Sequence, residues 1–182
     1  ILGRVGGVSV AAVVFDGEEG TELDQYNMAK INWFLEFAAY YSLPFISFAD
    51  TLSVAANTCV NNSLVLKQIS KFMENFELLE NAKISVVYKK AVGMGYTLFA
   101  AKSMGYDYTL AFANAKIALF DSVAGAEIEL AADGRTREKL AEKYADENSD
   151  PVNAAKDGYI DDIIEPQFVK QYLIAALQML LK

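Results

Sequence analysis

The 182-residue sequence has no histidine, one cysteine and three prolines. Without histidine there is no Ser-His-Asp or Cys-His nucleophile pair, no two-histidine metal site and no side chain whose ordinary pKa lies near neutrality. The lone cysteine, Cys59, excludes an intramolecular disulfide framework and multi-cysteine zinc sites. It suits a reducing compartment, so a cytoplasmic location is expected, and with no histidine to pair it reads as a small apolar residue. Apolar runs such as residues 84–88 and 173–176 fall far short of the roughly 20 residues that cross a bilayer. Positive charge is also in deficit: 16 basic residues against 24 acidic give a net charge of −8, so a nucleic-acid footprint is not expected. The chain opens on Ile1 with no basic region ahead of its apolar start, so a signal peptide is not expected, and a processed or excised piece is.

What is present describes a well-packed chain. With 53% apolar residues and 12% aromatics, the length fits one compact domain over residues 1–182. Residues 3–15 are β-rich and punctuated by Gly3, Gly6 and Gly7, predicting a strand or hairpin. From Asp24 the spacing of Met28, Ile31, Phe34, Leu35, Ala38 and Tyr41 predicts a helix that Pro44 stops. Residues 45–49 read as a buried strand emptying into a loop over 50–62, and Leu64, Ile69, Met73, Phe76 and Leu79 recur at helical spacing. Residues 83–88 predict a strand, 89–95 a basic glycine-containing turn and 96–102 a helix. Short strands near 108–112 and 116–120 precede helical stretches at 122–130 and 135–144. Pro151 fits a first helical position after Asp150, residues 159–164 follow Gly158, and Pro166 opens a last helix with Phe168, Val169, Tyr172, Leu173, Ala176, Leu177 and Leu180 on its apolar face. The alternation predicts an α/β architecture with mainly parallel pairing.

The strongest local candidate for chemistry is Lys89-Lys90-Ala91-Val92-Gly93-Met94-Gly95-Tyr96. Glycines between a strand and a helix let backbone amides face outward at the helix's positive end, where they can stabilise an oxyanion. The spacing alone equally describes a tight turn. Gly3-Arg4-Val5-Gly6-Gly7 lacks the G-x-x-x-x-G-K-[ST] pattern, so a nucleotide fold is disfavoured. The acidic clusters Glu18-Glu19 and Asp161-Asp162 with Glu165 lack calcium-loop spacing and read as solvated surface, leaving no expected metal site. Trp33, Phe34, Phe37, Tyr40 and Tyr41 sit at helical spacing and read as core.

In order, Gly3-Arg4-Val5-Gly6-Gly7-Val8-Ser9-Val10, a helix, Leu43-Pro44-Phe45-Ile46-Ser47-Phe48-Ala49-Asp50-Thr51, the Lys89 to Tyr96 segment, and Asn148 to Ile164 ahead of a closing helix resemble one family. It is that of the biotin-dependent carboxyltransferases, and the resemblance is to their C-terminal half. It implies an α/β crotonase-type (ClpP/crotonase) β-β-α spiral. In that family the N-terminal half holds the acyl-CoA, the C-terminal half holds the carboxybiotin, and the site lies between halves of different protomers. It further implies catalysis by backbone-amide oxyanion holes, for which no side-chain base is required. The matching positions are the amides of Met94 and Gly95, with Gly93, Val92, Asp50, Thr51 and Gly125 lining the biotin side. The implied cofactor is biotin, carried as carboxybiotin on a partner domain, and the implied substrate is an acyl-CoA. The implied partners are an acyl-CoA-binding N-terminal half or subunit and a biotin carboxyl carrier protein, in a homo- or hetero-oligomer. A membrane would enter only indirectly, through a decarboxylase pump.

The sequence also departs from the family. Residues 52–58, Leu-Ser-Val-Ala-Ala-Asn-Thr, stand where the family has a P-G-F-x-P-G loop, residues 121–126 replace its G-P-E-G-A stretch, and Met94 replaces a glycine. Two functions follow. One is a carboxyltransferase or decarboxylase component; the alternative is a non-catalytic crotonase-fold assembly subunit in which the Met94 side chain fills the biotin space. A hydratase, isomerase or protease on the same spiral would need a histidine route that is closed here, or a pocket glutamate that the sequence does not place.

Overall fold

The computed structural model describes residues 1–17, 20–54, 62–130 and 137–181. The opening forms the expected hairpin: β1 (Leu2–Val5) pairs antiparallel with β2 (Val8–Val14) across Gly6-Gly7. Both glycines have positive φ, 58° and 89°, as a two-residue turn that matches strand twist requires. The elements that follow are β3 (Thr21–Leu23), α1 (Gln25–Tyr40), β4 (Phe45–Val54), α2 (Asn62–Glu77), β5 (Lys83–Val92) and α3 (Met94–Phe99). Then come β6 (Tyr108–Phe112), β7 (Lys116–Ala118), α4 (Ser122–Leu130), α5 (Arg137–Asn148), α6 (Pro151–Lys156), β8 (Asp162–Ile164) and α7 (Val169–Leu180). Every pairing after the hairpin is parallel among the described residues.

Strand order is β1-β2-β4-β5-β6-β8, with β3 on β4 and β7 on β5. The two long strands each serve twice. Phe45 to Phe48 of β4 pairs with β2 and its far end with β3, while Ile84 to Val87 of β5 pairs with β6 and Lys90 to Val92 with β7. A register shift between Ala49 and Thr51 marks where the ladder swings from one set of partners to the other. Strand, strand, helix therefore repeats along the chain as a spiral, with β4 and β5 each supplying both strands of a turn. This corrects two expectations. Residues 50–54 and 89–92 are strand, not loop and turn, because the second half of each long strand finds its own parallel partner. Residues 55–61 of the expected loop, with Cys59, and the Glu18-Glu19 pair lie outside the described residues, and Asn62 already belongs to α2.

Both faces of the sheet are covered, which is why the central strands read as continuous apolar runs. Phe45, Ala49, Val87 and Ala111 belong to the main core with Leu35, Phe72, Phe76 and Phe99. Ile46, Ile84, Val86 and Leu110 face the opposite core with Leu173, Ala176 and Leu177 of α7. Pro166 opens a 3-10 turn (Pro166–Phe168) ahead of α7, not the helix itself. Asp24 caps α1: its carboxylate accepts from the Tyr26 and Asn27 amides, and the Asn27 side chain accepts from the Asp24 amide.

The aromatic run of α1 is not core. The helix buries only the stripe Met28, Ile31, Asn32, Leu35 and Ala38. Trp33, Tyr40 and Tyr41 are 66%, 82% and 57% exposed, Phe34 and Phe37 half-buried, and the rings stack mainly on one another.

Candidate functional site

The site is built where β5 meets α3. Gly93 ends the strand with φ 59° and ψ −129°, a conformation that side chains resist, and so turns the chain directly into the helix. Its N–H donates to the Ala118 carbonyl at 3.0 Å, tying the turn to β7. Its carbonyl accepts from the Thr97 N–H at 3.1 Å and the Thr97 hydroxyl at 3.2 Å. The next amides, of Met94, Gly95 and Tyr96, have no acceptor among the described residues, as expected of the first N–H groups of a helix.

Gly95 is buried where the end of β4 lies across the first turn of α3. A Cβ there would sit 2.6 Å from Thr51 Cβ and Oγ1 and would overlap the Leu52 carbonyl oxygen, and one at Gly93 would sit 3.0 Å from Ser53. The structure therefore brings Thr51, Val92, Gly93, Met94 and Gly95 together, with Asp50 one residue behind Thr51. Met94 is half-buried, and its side chain packs against the main core.

Asp50 and Thr51 are both fully buried, Asp50 Oδ1 and Thr51 Oγ1 have no hydrogen-bond partner among the described residues, and Asp50 Oδ2 meets only a lysine ammonium. Lys89 Nζ lies 3.2 Å from Asp50 Oδ2 as an ion pair, and Asp50 holds the Lys89 ammonium above its ordinary pKa. The neighbouring Tyr88 hydroxyl donates to the Phe15 carbonyl, and burial, with the charge of Asp50, pushes its phenol up.

Flanking the turn at Val92 and Tyr96 lies an open groove in two parts that share a wall. One, of about 400 Å³, is lined by Tyr96, Ile117, Tyr144, Asn153 and Tyr159 among others. The other, of about 170 Å³, reaches Leu52, Lys90, Val92 and Lys116, and both share Ala118, Phe120 and Tyr144. Thr51, Gly93, Met94 and Gly95 line neither part; the turn reaches the groove wall only through its flanking residues Val92 and Tyr96. Burial and then the neighbouring Tyr159 raise the Tyr96 phenol, so it stays protonated. Gly125 does not face the groove directly: a Cβ there would overlap the Tyr144 ring, so its absence lets α4 close on α5 and hold Tyr144 in the wall.

Sequence reasoning missed Tyr96 and Tyr144 as groove walls and the buried Ser47 and Ser85, which stand as isolated hydroxyls in apolar strands. Asp161 is exposed, as the sequence suggested, but it has structural partners that the sequence did not show: it accepts from the Thr109 amide and hydroxyl and from Lys102 Nζ. Burial alone would raise its carboxyl, but these donors outweigh burial and hold it below the ordinary carboxylate value. No group of three potential metal-ligating side chains occurs among the described residues.

A parallel spiral carrying unpaired amides at a strand–glycine–helix turn defines the crotonase-type fold. Transcarboxylase 12S, solved as a hexamer assembly with methylmalonyl-coenzyme A and methylmalonic acid bound, superposes with a TM-score of 0.90 at 24% identity, over 98% of this chain and 36% of that one. The chain belongs to the carboxyl transferase domain family, which it matches over residues 2–182. It is 30% identical over 188 residues to the carboxyltransferase subunit of propionyl-CoA carboxylase from Haloferax mediterranei, across 98% of this chain and 36% of that protein. It is 27% identical over 151 residues to the alpha subunit of methylmalonyl-CoA decarboxylase from Veillonella parvula, across 83% of this chain and 30% of that one. The chain thus spans about a third of the length of the curated relatives it matches.

Proposed function

We propose that this chain is the biotin-side half of a biotin-dependent carboxyltransferase, moving a carboxyl group between carboxybiotin and an acyl-CoA. The observation that carries the reading is the pair of unpartnered amides at Met94 and Gly95, on a turn held by the Gly93 to Ala118 hydrogen bond and flanked by Val92 and Tyr96, which line the groove. The residues present fit the group. Two N–H donors without acceptors suit a ureido oxygen, the buried Thr51 hydroxyl beside Gly95 lacks a partner, and the Met94 side chain takes no groove volume. That packing supports a catalytic component over a non-catalytic assembly subunit.

When bound, biotin supplies the nitrogen that carries the carboxyl group. The Met94 and Gly95 amides would hold its ureido oxygen, and a fixed pair of donors stabilises negative charge there without reorganisation. Gly93, Val92 and the end of β4 at Thr51 hold the turn, Asp50 anchors β4 through Lys89, and Gly125 seats Tyr144 in the groove wall. With charge stabilised by amides, the missing histidine is no obstacle. The acyl-CoA would be held by an N-terminal half or subunit and the biotin delivered by a carboxyl carrier protein, in a cytoplasmic oligomer. Among the described residues no helix is long and apolar enough to cross a membrane.

The test separates the amide from the side chain. Proline is tolerated at the first position of a helix, so Met94→Pro deletes one donor while preserving the turn, and Met94→Ala deletes only the side chain. With the acyl-CoA half and a biotinylated carrier supplied, Met94→Pro should lower carboxyl transfer from methylmalonyl-CoA by about 100-fold or more relative to Met94→Ala. Equal rates for the two variants would remove the proposal.

A further inference from the structure

We infer that a row of buried hydroxyls beneath α3, formed by Ser47, Ser85 and Thr109, positions the Met94 and Gly95 amides; the inference rests on the carboxyl-transfer reading, which gives those amides their task. The three residues are register neighbours across β4, β5 and β6, Ser47 opposite Ser85 and Ser85 opposite Thr109. They are 0%, 0% and 1% exposed, with Ile46 and Phe48, Ile84 and Val86, and Tyr108 and Leu110 as their chain neighbours. A hydroxyl in such a place is unfavourable unless it is hydrogen-bonded, and all three are.

Ser47 Oγ and Ser85 Oγ both donate to the Phe99 carbonyl, at 2.6 and 2.8 Å, and the Tyr106 hydroxyl donates to the Leu98 carbonyl at 3.2 Å. Phe99 is the last residue of α3. Just beyond it, Lys102 Nζ lies 2.6 Å from Asp161 Oδ1, while Asp161 Oδ2 accepts from the Thr109 amide at 2.8 Å and its hydroxyl at 3.0 Å. The row therefore grips the C-terminal end of α3 directly and the turn after it through Asp161.

A six-residue helix has no stability of its own, so its axis is set by what holds its ends. At the amide end the constraints are the Gly93 to Ala118 hydrogen bond and the close seat of Gly95 under Leu52. At the buried end they are the hydroxyls, about 9 Å away along the axis. Releasing the buried end lets the helix shift and turn within the Gly95 seat, which moves and re-aims the Met94 and Gly95 N–H groups. A misplacement near 1 Å is enough to lose about 100-fold in a reaction that depends on aligned donors. Ser47 and Ser85 are thus positioning residues: they touch neither groove nor ligand and act through α3.

The test compares Ser47→Ala, Ser85→Ala and the double variant with Ile84→Val. Ile84 is buried beside Ser85 but faces the opposite core, so the control loses packing without losing a donor. Two readouts are taken on each full chain: hydrogen exchange at the Thr97 amide, which reports the Gly93 to Thr97 bond at the site end of α3, and the affinity for biocytin. The double variant should exchange at Thr97 about tenfold faster or more and bind biocytin about tenfold more weakly, with the single variants between it and wild type. Ile84→Val should change neither beyond its global loss of stability. If the double variant does not fold, the two single variants carry the same comparison. Thr97 exchange no faster than in Ile84→Val at matched stability, or unchanged biocytin affinity in variants of a chain that binds it, overturns the inference. A wild-type chain that binds no biocytin removes the carboxyl-transfer reading separately, and the exchange comparison then still decides whether the hydroxyls position α3.

Discussion

Three glycines carry requirements that no other residue meets, and two of them make separate predictions. Gly95→Ala keeps the amide but drives a methyl group into Thr51 and the Leu52 carbonyl, so the end of β4 or the start of α3 must move. The expected loss is about 1–3 kcal/mol in denaturant unfolding, together with biocytin affinity. Gly125→Ala forces a Cβ into the Tyr144 ring; a similar stability loss is expected, with Tyr144 displaced from the groove wall in a crystal structure of the variant. Gly93 has to turn the chain at positive φ. A tight turn at this place was legible in the residue types. Its close fit was not, because the partners that crowd Gly95 and Gly125 are distant in sequence and identifiable only once β4 and α5 are in place. Burial pushes the Tyr106 phenol well above its usual value of 10.0. The neutral phenol therefore contributes stability fully below pH 10, and that contribution is lost as pH rises beyond it, because the unfolded chain ionises first. Tyr106→Phe should flatten the alkaline limb of a stability–pH curve while lowering stability at pH 8 by about 0.5–1.5 kcal/mol through the bond lost to Leu98.

Among elements, helices with one apolar stripe and a polar cap were readable from sequence, and the long parallel strands only halfway. Asp24 announces α1, and Asp24→Ala should cost about 1 kcal/mol in thermal or denaturant unfolding. Residues 50–54 and 89–92 looked like loop because polar and basic residues interrupt the apolar run where each strand passes to its second set of partners. Such a passage leaves no local sign: what makes those residues strand is pairing with β3 and β7, segments of three residues each. The aromatics of α1 misled in the opposite sense, since their spacing is helical but the sheet offers cover for a single narrow stripe. The tie between β6 and the turn after α3 adds an acid limb. Asp161 titrates below its usual 3.8, so its contribution is present above that value and lost as pH falls through the lowered one. Asp161→Asn should make stability less dependent on pH below about 4, which denaturant melts between pH 2 and 6 would show.

For the molecule as a whole, the order of segments was the most informative signal, because several separate stretches in one sequence order constrain topology more than any single glycine motif does. It anticipated the spiral and the family. What it left open is whether the turn works, since that depends on where one methionine side chain goes, and the structure packs Met94 against the core. Trp33, Tyr40 and Tyr41, exposed together on one helix, are the residue types that interfaces favour, so an assembly is expected. Sedimentation at micromolar concentration should show a dimer or larger species, and a purely monomeric profile would count against that expectation.

The most direct measurement is an NMR titration of the chain with biocytin, following the amides of Gly93, Met94 and Gly95. Saturable shifts at Met94 and Gly95 that persist in Met94→Ala, and in Met94→Pro are weakened at the Gly95 signal that remains, are the predicted result. No shift at these amides up to millimolar biocytin, with the acyl-CoA half present as well as absent, would contradict the account.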